Sequence, residues 1–322
     1  LVRAALVQEE ALEDRDAAIE NWREIRGMDP ADAEVNSNLE RLLRAETRWM
    51  ELASHYEDLR LIADGQDEIS RLDFELAQVF MQELGEGERA VELYSTVLDV
   101  EPDHSGVRKA LELLFSNEEL AASSGVDRLR VGHLLEPIYR AEGDNSALAQ
   151  VLGLKQETLF DEPAALLENA EELARIKESL EGESSAVFEC WAEVFRLRAD
   201  QRSLAELRRL SRATQRYADF ASLLEQAAME AEEGADQAAL FVELGRVLER
   251  HCSDEGRARE VFREALQIEP GNDAALESLV ELYTRQGAFD ELVALYEELG
   301  DGTSDINIAK RFLGQACRLL ED

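Results

Sequence analysis

The sequence repeats itself, and internal repetition constrains the fold of a chain more than any other feature. Trp22-Arg-Glu-Ile25 is followed by Pro30, Leu39, Leu42, Trp49, Leu52 and Tyr56. Phe262-Arg-Glu-Ala265 is followed by Pro270, Leu279, Leu282, Phe289, Leu292 and Tyr296, each 240 positions after its counterpart with no gap. Tyr94, Pro102, Leu111 and Leu114 lie 72 positions after Trp22, Pro30, Leu39 and Leu42. Trp191, Leu204, Leu207, Leu210 and Tyr217 match the last stretch at an offset of 71 to 72. A period of 72 is two units of about 36 residues, near the length of common helix–turn–helix repeats.

Within each unit the apolar residues recur at spacings of three and four, which places them on one stripe of a helix. Glycine or proline punctuates the units: Gly287 between two helices, and Pro30, Pro102 and Pro270 just after a helix end, where a residue without an N–H stops the helix. A chain of 322 residues is too long for one hydrophobic core, so it needs several domains or an array. With 33% charged residues, 6% aromatics and only 5 prolines, the composition suits helices.

The pattern resembles the tetratricopeptide repeat family. Leu276, Leu279, Tyr283, Gly287, Phe289, Leu292 and Tyr296 stand at that family's spacings. The unit before it reads Phe241, Leu244-Gly245, Leu248, Ala258, Phe262, Ala265 and Pro270, with one extra residue near Ser253–Gly256. A third unit reads Leu76-Ala77, Phe80, Ala90, Tyr94, Val97 and Pro102. The resemblance is poorest at Asp103–Val131 and Pro163–Asp200. It implies an all-α fold, a right-handed α-solenoid of helix–turn–helix units. In such an array small residues such as Ala77, Gly245 and Ala258 admit close helix approach, and aromatics such as Tyr94, Trp191 and Phe262 fill the space between units.

The expected organisation is one continuous array over residues 1–322. Its eight or so units span 1–33, 34–62, 69–105, 126–160, 163–200, 201–233, 236–272 and 273–300, with a last helix near 305–320. Pro102 to Tyr139 spans 37 positions against 13 from Pro270 to Tyr283, an excess of 24. An irregular inserted segment at 103–131 is therefore expected, with a helix at His104–Leu120 and a loop at Ala121–Gly125. Both ends look cut. Leu1–Leu6 begins a helix without a cap, and the last helix carries Ile308, Phe312, Cys317 and Leu320 without a partner helix, so a longer parent chain is expected.

The formal net charge of -37 argues against direct binding to nucleic acid or anionic lipid. Cys190, Cys252 and Cys317 are odd in number, far apart and outside any CxxC, so they read as single thiols. No apolar run is long enough to span a bilayer and no leader is visible, which points to the cytoplasm. The four histidines, His55, His104, His133 and His251, stand at no metal-binding spacing, with His55 and His251 on helices. The adjacent pair His251-Cys252 would diverge on a helix, and Gly85-Glu-Gly87 and Gly300-Asp-Gly302 lack a phosphate-loop context. Neither an enzyme active site nor a cofactor is expected.

In the proteins this sequence resembles, the first helix of each unit lines the inner groove. The corresponding positions are Arg41, Gln78, Pro137, Arg175, Arg209, Arg246 and Glu281. One turn further lie Arg44, Met81, Arg140, Glu178, Arg212, Glu249 and Thr284. Seven of these fourteen are arginine in an otherwise acidic chain. The resemblance thus implies a scaffold whose arginines receive an acidic or extended peptide of a partner protein, while the acidic outer surface suits a basic partner. The competing reading pairs these arginines with helix neighbours, Glu40 with Arg44 and Glu171 with Arg175. The family's clamp for peptide C-termini needs lysines that are missing here, leaving Asn38 alone. Two other functions fit the sequence: a regulatory repeat domain of a longer protein carrying an enzyme, and a scaffold of RNA processing, since Gly256–Ala265 resembles half-a-tetratricopeptide repeats.

Overall fold

The recurring Pro turns dictate where helices stop and restart. In the computed structural model, which describes residues 2–10, 14–302 and 306–321, the three turns at Asp29–Asp32, Glu101–His104 and Glu269–Asn272 share one construction. The backbone N–H of the first residue closes the preceding helix, on Ile25, Val97 or Ala265. The fourth residue's N–H bonds the first residue's carbonyl, at 3.4, 3.0 and 2.9 Å, with proline between them. Its side chain then caps the next helix. Asp32 accepts from Glu34 and Val35, His104 Nδ1 from Val107 at 3.1 Å, and Asn272 from Ala275 at 3.0 Å. Three different side chains perform one capping task because each offers an acceptor to an orphan N–H of the first turn.

The helices so delimited divide into two compact bodies, Leu1–Lys155 and Gln156–Asp322. The first holds α1 (Val2–Glu10), α2 (Arg15–Met28), α3 (Ala33–Ala45), α4 (Trp49–Ile62), α5 (Gln66–Val79), α6 (Gly87–Val100), α7 (Ser105–Ser116), α8 (Glu118–Ser123), α9 (Arg128–Glu142) and α10 (Asn145–Gln156), the last ending at the boundary. The second holds α11 (Pro163–Glu181), α12 (Ser185–Leu197), α13 (Gln201–Thr214), α14 (Tyr217–Glu230), α15 (Ala235–Arg250), α16 (Glu255–Ile268), α17 (Asp273–Gln286), α18 (Phe289–Gly302) and α19 (Ile306–Glu321). No strand occurs among the described residues. In the first body each helix from α1 to α7 packs on the next and α7 packs on both α8 and α9, and in the second every helix packs on its successor.

Burial follows the sequence repeat. Trp22, Tyr94 and Phe262, on α2, α6 and α16, are all buried, and so are Leu39, Leu111 and Leu279. Leu42, Leu114 and Leu282 are buried too, as are the pairs Leu52 with Leu292 and Tyr56 with Tyr296. Each large side chain of this kind contributes roughly 1.5–3 kcal/mol when removed from water. In α19, Phe312 is buried and its ring centroid lies 6.2 Å from that of Tyr296, while Cys317 is exposed. The side chains of Ile308 and Leu320 lie outside the described residues, as do Leu1 and the side chain of Leu6.

The segment at 103–131 differs from the expected helix and loop. Leu111 and Leu114 take the buried positions of Leu39 and Leu42, so α7 is a first helix of the ordinary kind. It stops at Ser116 because the Asn117 side chain accepts from Leu120 N–H at 3.0 Å and starts α8, which continues through Ala121 to Ser123. A six-residue helix therefore stands where a full second helix would. Its end docks on α6, where Gly87 N–H bonds Ser124 O at 3.2 Å, and a Cβ at position 87 would lie 2.5 Å from that oxygen. Glu88 of α6 holds Arg130 at 2.7 Å and accepts the Asp127 N–H at 3.1 Å, which fixes the start of α9. No described helix is long and apolar enough to cross a membrane.

Close approach of α15 to α16 supplies a test. A Cβ on Gly245 would lie 2.7 Å from two ring carbons of the buried Phe262. Helix propensity alone favours alanine over glycine by about 1 kcal/mol. Overpacking of a filled core costs roughly 1–3 kcal/mol, so Gly245→Ala is expected to lower the urea midpoint of the full chain. A raised midpoint would show that the two helices have room to spare.

Candidate functional site

The arginines singled out by the repeat lie on the first helices α3, α9, α11, α13 and α15. Asn38, Arg41, Arg44 and Arg140 belong to the first body, and Arg175, Arg209, Arg212 and Arg246 to the second. Their surroundings differ sharply. The Asn38 amide donates to Glu34 O at 2.9 Å and accepts from Arg41 at 3.2 Å. Arg44 donates to Glu40 at 3.2 Å, to Glu75 on α5 at 2.8 Å and to the Tyr56 hydroxyl at 2.8 Å. Arg140 meets Glu136 at 2.8 Å and Arg175 meets Glu171 at 2.6 Å, both at the i,i+4 spacing. Arg209 is enclosed by Glu178, by Glu183 at 2.6 Å and by Glu206 at 2.8 Å. The neighbour pairing read from Glu40 with Arg44 and Glu171 with Arg175 is thus present, and Glu178 itself was one of the fourteen groove positions.

Arg212 and Arg246 stand apart. Among the described residues neither guanidinium has a hydrogen bond or ion pair. They line one cavity of about 290 Å³ between α13 and α15. The repeat pattern missed two further arginines in its wall, Arg208 and Arg250. Each lies four residues, one helical turn, from a recognised position, so the i,i+4 spacing of arginines was the signal available in the sequence. Glu243 neutralises Arg208 at 2.6 Å, and Arg250 likewise has no described carboxylate partner. Four arginines against the one glutamate leave three positive charges in excess. The remaining wall is Ser211, Tyr217, Phe220, Val247 and His251. The Tyr217 and His251 rings stack at 3.9 Å between centroids with planes 1° apart. His251 caps the C-terminal end of α15 instead of lying within the helix, which is what brings its ring across to Tyr217.

Other titratable groups are built into packing. Burial raises the thiol pKa of Cys190 and of Cys252, which disfavours the thiolate a nucleophile needs. Among the described residues no three of His, Cys, Asp and Glu group as metal ligands. Asp73 is buried on α5 beside Arg60 of α4 at 2.6 Å and accepts from the Thr96 hydroxyl at 3.0 Å. Its pKa is raised, burial being the chief cause. In the first body a more apolar cavity of about 540 Å³ opens between α6 and α9 over α7, with Pro102, Leu134, Pro137 and Ile138 in its wall.

Residues 275–305, which cover most of α17 and α18, match a tetratricopeptide repeat family. No curated protein matches the chain in sequence. Among solved structures, it is similar to the tetratricopeptide repeat domain of P58(IPK) at 14% identity, over 99% of this chain and 97% of that one, with a TM-score of 0.26. It is also similar to a tetratricopeptide repeat protein from Parabacteroides merdae at 16% identity, over 88% of this chain and 97% of that one, with a TM-score of 0.29.

His55 gives the first body a pH dependence. It is buried on α4, and burial, followed by the charge of Arg26, lowers its pKa to about 4. The unfolded chain binds a proton near pH 6.5, which the folded chain refuses down to about pH 4. Stability therefore falls as pH drops through that window, by about 2 kcal/mol between pH 7 and pH 5 from this group. His55→Gln is expected to remove this part of the slope in chemical denaturation of the full chain. Equal slopes for the variant and the parent would refute a buried neutral imidazole.

Proposed function

We propose that this tetratricopeptide-like helical repeat protein is an interaction scaffold that binds an acidic segment of a partner protein at the α13–α15 cavity. One observation carries the reading. In a chain with 71 acidic and 34 basic residues, Arg212, Arg246 and Arg250 surround one cavity and no described carboxylate meets them. Guanidinium forks keep their charge when partly desolvated and match carboxylate oxygens in pairs. Arg44, Arg140, Arg175 and Arg209 already hold glutamates, so a ligand at those positions would have to displace an internal partner. They serve the array by tying turn to turn and helix to helix.

The paired and unpaired arginines predict opposite outcomes. In a solution assay with labelled acidic nonapeptides, Arg212→Glu with Arg246→Glu is expected to weaken binding by at least about tenfold, the equivalent of one lost charged hydrogen bond. Arg175→Glu is expected to leave binding within about twofold, since exposed pairs couple weakly. Acidic peptides bound no better than neutral ones by the parent protein would end the proposal.

A further inference from the structure

Two pairs of arginines, each one helical turn apart, face the same cavity: Arg208 with Arg212 on α13, and Arg246 with Arg250 on α15. We infer that this cavity receives a phosphate monoester dianion, presented on a phosphorylated serine or threonine of the partner protein. The inference rests on the scaffold reading above and names the chemistry of its site.

Charge is the first argument. A carboxylate brings one negative charge and two oxygens, whereas a phosphorylated side chain brings nearly two charges and three strong acceptor oxygens. Three positive charges in excess are more than one carboxylate can balance, and a dianion comes closer to balancing them. Residue type is the second. All four cations are arginine, the side chain whose planar fork addresses phosphate oxygens two at a time. The third is size. At about 290 Å³ the cavity falls at the lower end of the range for small-molecule pockets, room for one side-chain group but cramped for a nucleotide. Buried Phe220 and half-buried Arg246 close its inner side, and the stacked Tyr217 and His251 rings make a flat wall. A polymer of phosphates would meet the chain's net charge of -37 along its whole length, while a single dianion seated among the arginines meets it only locally.

The test uses the full chain and three degenerate nonapeptide libraries with a fixed central phosphoserine, glutamate or serine, read by fluorescence anisotropy. The phosphoserine library is expected to bind at least about tenfold more tightly than the glutamate library. Arg212→Gln with Arg246→Gln is expected to erase that difference while the far-UV circular dichroism stays unchanged. Arg250→Gln alone serves if the double variant fails to fold. Equal binding of the phosphoserine and glutamate libraries overturns the phosphate inference and leaves the acidic-segment reading standing. Equal binding of all three overturns both. Inorganic phosphate or adenosine monophosphate bound as tightly as the phosphoserine library would assign the site to a free small phosphate, against this inference. Tighter binding of a ten-residue oligouridylate, lost in the same variants, would assign it to RNA and likewise refute a phosphoprotein.

Discussion

Nearly every helix hides its apolar stripe against its neighbours in the sequence, with α9 packing past the short α8 onto α7, and the rest of the structure depends on that shared burial. Trp22, Trp191, Tyr94 and Phe262 are buried because an adjacent helix covers each of them, with no central core required. Contacts are therefore local, and stability accumulates from one helix pair to the next. The arrangement also leaves one side of most helices outside the packing. That side can carry charge freely, which is how a chain with 33% charged residues still forms continuous apolar seams.

Seams of this kind need each helix to stop and restart at the right residue, and turn chemistry sets those points. The shared hydrogen bond across the Pro30, Pro102 and Pro270 turns fixes the connection, and the capping side chain at the fourth position starts the next helix at the same point. Where the pattern is shortened, the structure compensates locally. The six-residue α8 cannot bury a full stripe, and Gly87 lets its end reach the backbone of α6, closing the gap that a longer helix would have filled.

The fold was readable because its signals are local. The offsets of 72 and 240 matched Trp22, Tyr94 and Phe262 and the leucines after them, all buried, although Phe289 is exposed where Trp49 is half-buried, and Pro30, Pro102 and Pro270 marked real helix ends. At 103–131 the spacing from Pro102 to Tyr139 suggests an insertion, whereas Leu111 and Leu114 stand in register and are buried like Leu39 and Leu42. The break at Asn117 depends on a side chain choosing the backbone of Leu120, an event with no periodicity to betray it. The candidate site was half legible. Position within the repeat picked out Arg212 and Arg246, which line one cavity, but whether an arginine is paired depends on carboxylates 31 or more residues away, as with Glu75 for Arg44, Glu178 for Arg209 and Glu243 for Arg208. Such partners become visible only when neighbouring helices are placed side by side.

This distinction gives the arginines without partners their meaning. With acidic residues outnumbering basic ones by 71 to 34, most described guanidinium groups meet a carboxylate. Arg212, Arg246 and Arg250 line one cavity and meet no described carboxylate, so like charges there repel one another, modestly where Arg212 and Arg250 are exposed to water. A bound anion removes that repulsion and adds attraction of its own. The remainder of the chain repels the same anion, but mobile ions screen that repulsion beyond roughly 8 Å at physiological salt, while contacts with half-buried Arg246 are screened less. The balance favours a compact, doubly charged group over an extended polyanion. On the proposed reading, an acidic chain would select a localised anion by holding a few of its arginines back from its own glutamates.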